Sequence, residues 1–208
     1  GLVKAMQEAV GLMLSDRRVL LTGAVQSLFE GAMYIFVLQW PPAFKMLVAK
    51  GASVPFGTIF ACLMTACMLG SSVFGLLLKT GISVENFVAG MVAVSAASLA
   101  GAAWALQSHP RGALHIAAVC FFLFEACVGL YFPSVGTLRS KYVPNSHKSA
   151  VMNLFRVPLN VIVITTFLQI DRLGVVGALA CASCVLSIAF ASAVALRGKK
   201  EKVEDKPK

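Results

Sequence analysis

Polar and charged positions gather in short breaks along the chain, and between them apolar residues run for about 20 positions at a time. Six such runs can be drawn, over residues 19–39, 56–78, 87–106, 114–138, 151–170 and 175–196. Each is long enough to cross the hydrocarbon core of a bilayer. The breaks read "WPPAFK", "KTGISVEN", "QSHPRG", "RSKYVPNSHK" and "DRLG", which mix charge with the Gly and Pro of turns. Lipid offers backbone N–H and C=O groups no partner, so runs this long and apolar are expected to be helices. The predicted fold class is all-α membrane, with a bundle of six transmembrane helices over 17–196. Residues 1–16 are expected as a cytosolic linker or an amphipathic helix along the membrane, and 197–208 as a basic cytosolic tail.

Composition sharpens this reading. The 208 residues are 58% hydrophobic and only 13% charged, about half the charged share of a soluble domain. The chain opens on Gly1 and not methionine, which points to a piece of a longer protein, and "GLVKAMQEAVGLMLS" lacks the apolar core and cleavage site of a signal peptide. The net charge of +9 is distributed by side. One set of breaks receives Lys4, Arg17, Arg18, Lys79, Arg139, Lys141, Lys148 and the tail, and the other receives Lys45, Lys50, Arg111 and Arg172. The bias is about three to one, so the positive-inside rule places both ends in the cytosol. Nothing accompanies the charge that would read nucleic acid.

The six cysteines all fall in apolar runs, where a metal-binding thiolate is disfavoured, and they read as small packing residues. The small residues of "AGMVAVSAASLAGAAWAL" suit close helix packing in lipid. No HExxH, GxSxG or paired-histidine motif is present, and His109, His115 and His147 fall in or beside the breaks. An enzyme is therefore not expected, and no cofactor is implied.

Three formally charged side chains lie deep inside runs: Glu30, Glu125 and Arg156. Glu30 is twelve residues past Arg18, roughly 18 Å along a helix and near the midplane. Glu125 lies similarly deep, and Arg156 is about 12 Å beyond Lys148. An ion at such depth costs about 2.5–3.5 kcal/mol by insertion scales, so each needs a partner or a wet cavity. Arg156 has three readings: it snorkels to the cytosol, it pairs structurally with a glutamate, or it meets an anionic solute. Polar neighbours recur at helical spacing, with Gln26, Glu30 and Tyr34 on one face and Asn153, Arg156 and Asn160 on another. Pro133 and Pro158 are expected to kink their helices.

The glutamates also share a local setting. Residues 28–34 read "LFEGAMY" and 123–129 read "LFEACVG", each in the first helix of a group of three. That is the pattern of a 3+3 inverted repeat. The stretches "SDRRVLLTGAVQSLFEGAMYIFVLQWPP", "FGTIFACLMTACMLGSSVFGLLL", "FEACVGLYFPSVGTLRSKYVP" and "MNLFRVPLNV" resemble the molybdate-anion transporter family of the major facilitator superfamily, in its C-terminal six helices. "GLYFPS" and "NLFRVPL" are the most specific parts of the likeness. The resemblance implies one half of a major-facilitator fold, taken from a twelve-helix parent that takes up molybdate at a cell membrane. It implies an N-terminal six-helix half outside this chain, without which no pathway closes. It also makes Glu30, Glu125 and Arg156 candidates for the substrate site, and Gln26, Tyr34 and Asn153 join them as polar neighbours.

Charge balance constrains any mechanism. Arg156 offers five donors in a planar fork that suits a tetrahedral oxyanion. With both glutamates ionised the cluster sums to −1, the wrong sign for a dianion. At ~8 Å and an effective ε of about 20, each carboxylate would cost the dianion roughly 4 kcal/mol. Either the glutamates face away, or one is protonated when the anion binds, and the second case makes uptake proton-coupled. Two other classes fit the same runs: a non-transporting membrane subunit or sensor, and a carrier of another solute such as sulfate or an organic molecule.

Overall fold

The computed structural model describes residues 2–49 and 51–197. Among these are seven α-helices and one short 3-10 turn, and no strand. The first helix, α1 (Leu2–Ser15), ends one residue before α2 (Arg17–Leu47). The residue between them, Asp16, is extended and caps α2, its Oδ1 accepting from the N–H groups of Arg18 at 2.8 Å and Val19 at 3.4 Å. There follow α3 (Phe56–Lys79), α4 (Val84–Ser108), α5 (Ala113–Tyr142), the 3-10 turn Asn145–His147, α6 (Lys148–Leu168) and α7 (Ile170–Leu196). Helices α2 to α7 are all long and apolar enough to span a membrane. The basic tail expected over 197–208 lies outside the described residues from 198 onward.

Two boundaries differ from the sequence reading. "WPPAFK" does not end the first span, because α2 runs through Pro41 and Pro42 to Leu47. The prolines deprive only the carbonyls of Val37 and Leu38 of helical donors, and helical φ suits proline well. The actual break follows at Val48, which is extended. The "DRLG" break holds one helical turn that the sequence reading did not expect: α7 is counted from Ile170, directly after Gln169, although a break in the helix does fall at Gly174. Gly174, at φ 59° and ψ −174°, then bends the chain within the first turns of α7. Only glycine takes that conformation readily.

The packing has a two-fold logic. Three helices reverse the chain's direction, so α5–α7 repeat α2–α4 upside down. Exchanging the triplets maps α2 onto α5, α3 onto α6 and α4 onto α7. The observed neighbours obey that exchange: α2 packs on α7 as α5 packs on α4, and α3 packs on α5 as α6 packs on α2. The contacts α4–α7 and α2–α5 map onto themselves. This is the architecture of one six-helix half of a major-facilitator fold.

Small residues set the close crossings. A Cβ placed on Gly70 of α3 would lie 1.8 Å from the Ala126 carbonyl oxygen, and one on Gly129 of α5 would lie 1.8 Å from that of Cys67. On the other side, Gly23, Ser27 and Gly31 form one stripe of α2 against α6. There a Cβ on Gly23 would enter the Phe155 ring, and Ser27 Oγ donates to the Phe155 carbonyl at 2.5 Å. Leu168, Met68 and Leu69 point outward, as expected for lipid-facing side chains. Helix α1 lies against α6 and α2, with Ala9 buried and Leu12 and Met13 packed near Val19, Val151 and Phe155.

Candidate functional site

The centre of the bundle is the seam between α2 and α5, the first helices of the two repeats. Their aromatic rings interlock along it: Phe36 lies 4.7 Å from Phe124, Phe124 lies 6.1 Å from Phe29, and Phe29 stacks on Tyr131 at 4.2 Å. All four are fully buried. Such contacts bring stacking energy as well as burial, and they hold the adjoining polar side chains in fixed positions.

Glu30 and Glu125 flank this ladder. Glu30 is partly exposed, and its Oε1 accepts a hydrogen bond of 2.9 Å from the Tyr131 hydroxyl. The bond joins the first repeat to the second. Glu125 is 5% exposed, and its Oε2 has no hydrogen-bond partner among the described residues. The residues that follow each glutamate, Gly31 and Ala126, face the corresponding crossings, Gly31 against Ile162 of α6 and Ala126 against Gly70 of α3. The matching tripeptides thus occupy matching places in the two repeats.

The other sequence-predicted residues separate by depth. Gln26, one turn from Glu30, is 2% exposed, and neither its Oε1 nor the Thr22 hydroxyl one turn further on has a partner among the described residues. Tyr34, one turn the other way, is 48% exposed. The face of α2 bearing Gln26, Glu30 and Tyr34 therefore runs from the interior to the surface. On α6, Asn153, Arg156 and Asn160 are all exposed, opposite the buried Val151, Phe155 and Leu159 that meet the bundle. Among the described residues Arg156 forms no ion pair with Glu30 or Glu125. The structure thus brings Glu30 and Gln26 together on α2, sets Glu125 in the equivalent place on α5, and leaves Arg156 on an open face. Helices α5 and α6 continue through Pro133 and Pro158.

Two polar groupings were not foreseen from sequence. Tyr131 belongs to the quoted "GLYFPS", but its hydroxyl gains meaning only once α2 and α5 are antiparallel neighbours. At one end of the bundle, Lys141 Nζ lies 2.6 Å from Glu85 Oε1, and the Tyr142 hydroxyl donates to the same oxygen. Nearby, Arg197 Nε donates to Asn86 Oδ1 at 2.6 Å. These contacts tie the start of α4 to the ends of α5 and α7. A carboxylate in the first turn of a helix, as Glu85 is, was the available signal.

Comparison with known proteins agrees with this arrangement. A family model described as sugar transporters of 12 TM matches residues 1–130. Proteins named molybdate-anion transporter are similar to the chain. That of Danio rerio is 37% identical over 162 residues, covering 72% of this chain and 30% of the relative. That of Xenopus tropicalis is 36% identical over 155 residues, covering 72% of this chain and 32% of the relative. That of Takifugu rubripes is 32% identical over 160 residues, covering 76% of this chain and 32% of the relative. The chain spans about a third of the length of these curated relatives. No solved structure matches it. With its six apolar helices in two exchanged triplets, the chain is an integral multi-pass membrane protein, and it belongs to the molybdate-anion transporter family of the major facilitator superfamily.

Proposed function

We propose that this bundle is the C-terminal half of a secondary transporter for molybdate or a similar oxyanion, with Arg156 as its anion contact. The observation that carries the reading is the placement of Arg156, which is exposed, well inside an apolar helix, and among the described residues paired with neither Glu30 nor Glu125. A structural salt bridge would have consumed its charge. On an open face, a planar fork of donors meets either a solute or a second half of the transporter. Asn153 on the same face, and Gln26, Glu30, Glu125 and Tyr34 across the bundle, are the polar lining of the proposed route.

An N-terminal six-helix half closes the route in this reading. Both ends of the chain lie in the cytosol, and the protein works in the plasma membrane. Protonation of one glutamate lifts the repulsion that two carboxylates exert on a dianion, so uptake is coupled to protons. The description of the matching family model as sugar transporters supports a second reading, in which the solute is a neutral organic molecule and Arg156 serves only as a hydrogen-bond donor.

The test is molybdate uptake by the full-length transporter in cells without a molybdate carrier of their own, with wild type and Arg156→Gln matched for surface expression. Uptake by wild type and its loss in the variant are expected. Equal uptake by both would remove Arg156 from the route. Transport of a sugar in place of molybdate would favour the second reading.

A further inference from the structure

The tripeptide Leu-Phe-Glu at 28–30 and 123–125 aligns α2 with α5 at a shift of 95 residues (123 − 28 = 95). Under that shift Phe29 corresponds to Phe124, and Phe36 to Tyr131. The ladder Phe36, Phe124, Phe29, Tyr131 is therefore its own image when the repeats are exchanged. Its two ends differ by one atom: Tyr131 carries a hydroxyl, and Phe36 does not. The difference falls on the glutamates. The Tyr131 hydroxyl satisfies Glu30 Oε1. For Glu125, the counterpart of Glu30, the exchange puts Phe36 in the donor's place, and its Oε2 has no partner among the described residues in a more buried setting.

We propose that this broken symmetry divides the work of the pair: Glu125 is the carboxyl that takes up and releases a proton, and Glu30, held by Tyr131, is a fixed acceptor. The proposal deepens the proton-coupled reading above and rests on it for its meaning in transport. A buried carboxylate oxygen without a donor is costly, and a proton taken from water relieves that cost without moving any other group. Glu30 already has its donor and gains less from a proton.

Among the described residues, no cation competes for the role of partner to Glu125. Of the helices packed against α5, α3 brings Cys62 and Cys67 through its middle. Helix α2 brings Glu30 and Tyr34 through its middle, and α4 has no titratable side chain between Glu85 and its end at Ser108. On α5 itself the neighbours are Cys120, Cys127 and Tyr131.

Infrared difference spectroscopy of the full chain in lipid nanodiscs tests the assignment without requiring transport. During a titration, the carbonyl band of a protonated carboxylic acid should appear in wild type, vanish in Glu125→Gln and persist in Glu30→Gln. In Phe36→Tyr, which offers Glu125 the hydroxyl it lacks, the band should move or weaken. This variant keeps both carboxyls and decides the matter if Glu125→Gln fails to fold. A band that survives Glu125→Gln, disappears in Glu30→Gln, is absent from wild type or is unmoved in Phe36→Tyr overturns the proposal. Uptake that ignores pH, together with an intact Glu125 band, would instead sink proton coupling and leave the assignment standing.

Discussion

Tyr131 contributes to the bundle twice, through a ring stacked on Phe29 and through a hydroxyl on Glu30. Tyr131→Phe separates the two, because it keeps the ring and removes only the donor. In a membrane the unfolded reference state also finds partners, so one polar contact is worth about 0.6–2 kcal/mol. The variant should melt at a lower temperature than wild type in detergent micelles. Glu30→Gln, which still offers an oxygen to Tyr131, should lose less. Equal melting of Tyr131→Phe and wild type would show that the hydroxyl does not support the fold. At this scale the sequence was informative where charge stood out against an apolar background, as with Glu30, Glu125 and Arg156. It was silent on Tyr131, since one tyrosine among apolar residues carries no sign of which helix will lie opposite. The burial of Gln26 and the exposure of Arg156 were equally illegible, because a face on a helical wheel does not say what it faces.

At the scale of the elements, the helices were legible and their contacts were not. Hydropathy placed the six spans to within a few residues, apart from α2, which continues past a proline pair that normally marks a stop. The glycines that govern packing look alike in sequence, yet the structure sorts them sharply. Gly70 and Gly129 each face a backbone carbonyl of the other helix, which cannot swing aside as a side chain can. Gly70→Ala and Gly129→Ala should therefore push α3 and α5 apart, at a cost of about 1–3 kcal/mol. At Gly75 on the same α3, an added Cβ would meet nothing within 4 Å. There alanine should be neutral or stabilising, by up to about 1 kcal/mol from helix propensity. Thermal melting of the three variants side by side provides the check. Similar losses at Gly70 and Gly75 would mean that the crossing is looser than the structure has it.

At the scale of the whole molecule, the proposed transport depends on how charge is shared between two repeats that are otherwise alike. In the proposed reading Arg156 supplies +1 and the ionised glutamates −2, so the three together oppose an oxyanion until a proton arrives. A proton on one glutamate makes the sum zero and removes roughly 4 kcal/mol of repulsion at ~8 Å and an effective ε of about 20. The sign follows directly: acid supplies the proton, so molybdate uptake should rise as external pH falls from about 8 to about 5 in assays across that range. Two variants locate the effect. Glu125→Gln fixes a neutral side chain at the proposed proton position and should flatten the pH profile. Phe36→Tyr keeps the carboxyl but gives it a donor, and should shift the rise to lower pH, because a hydrogen bond to the charged form makes the proton harder to add. Uptake assays across pH in the full-length transporter separate the cases. A flat profile in wild type would leave Arg156 to attract the anion without help from protons, and a profile unchanged in Glu125→Gln would move the proton site elsewhere in the transporter.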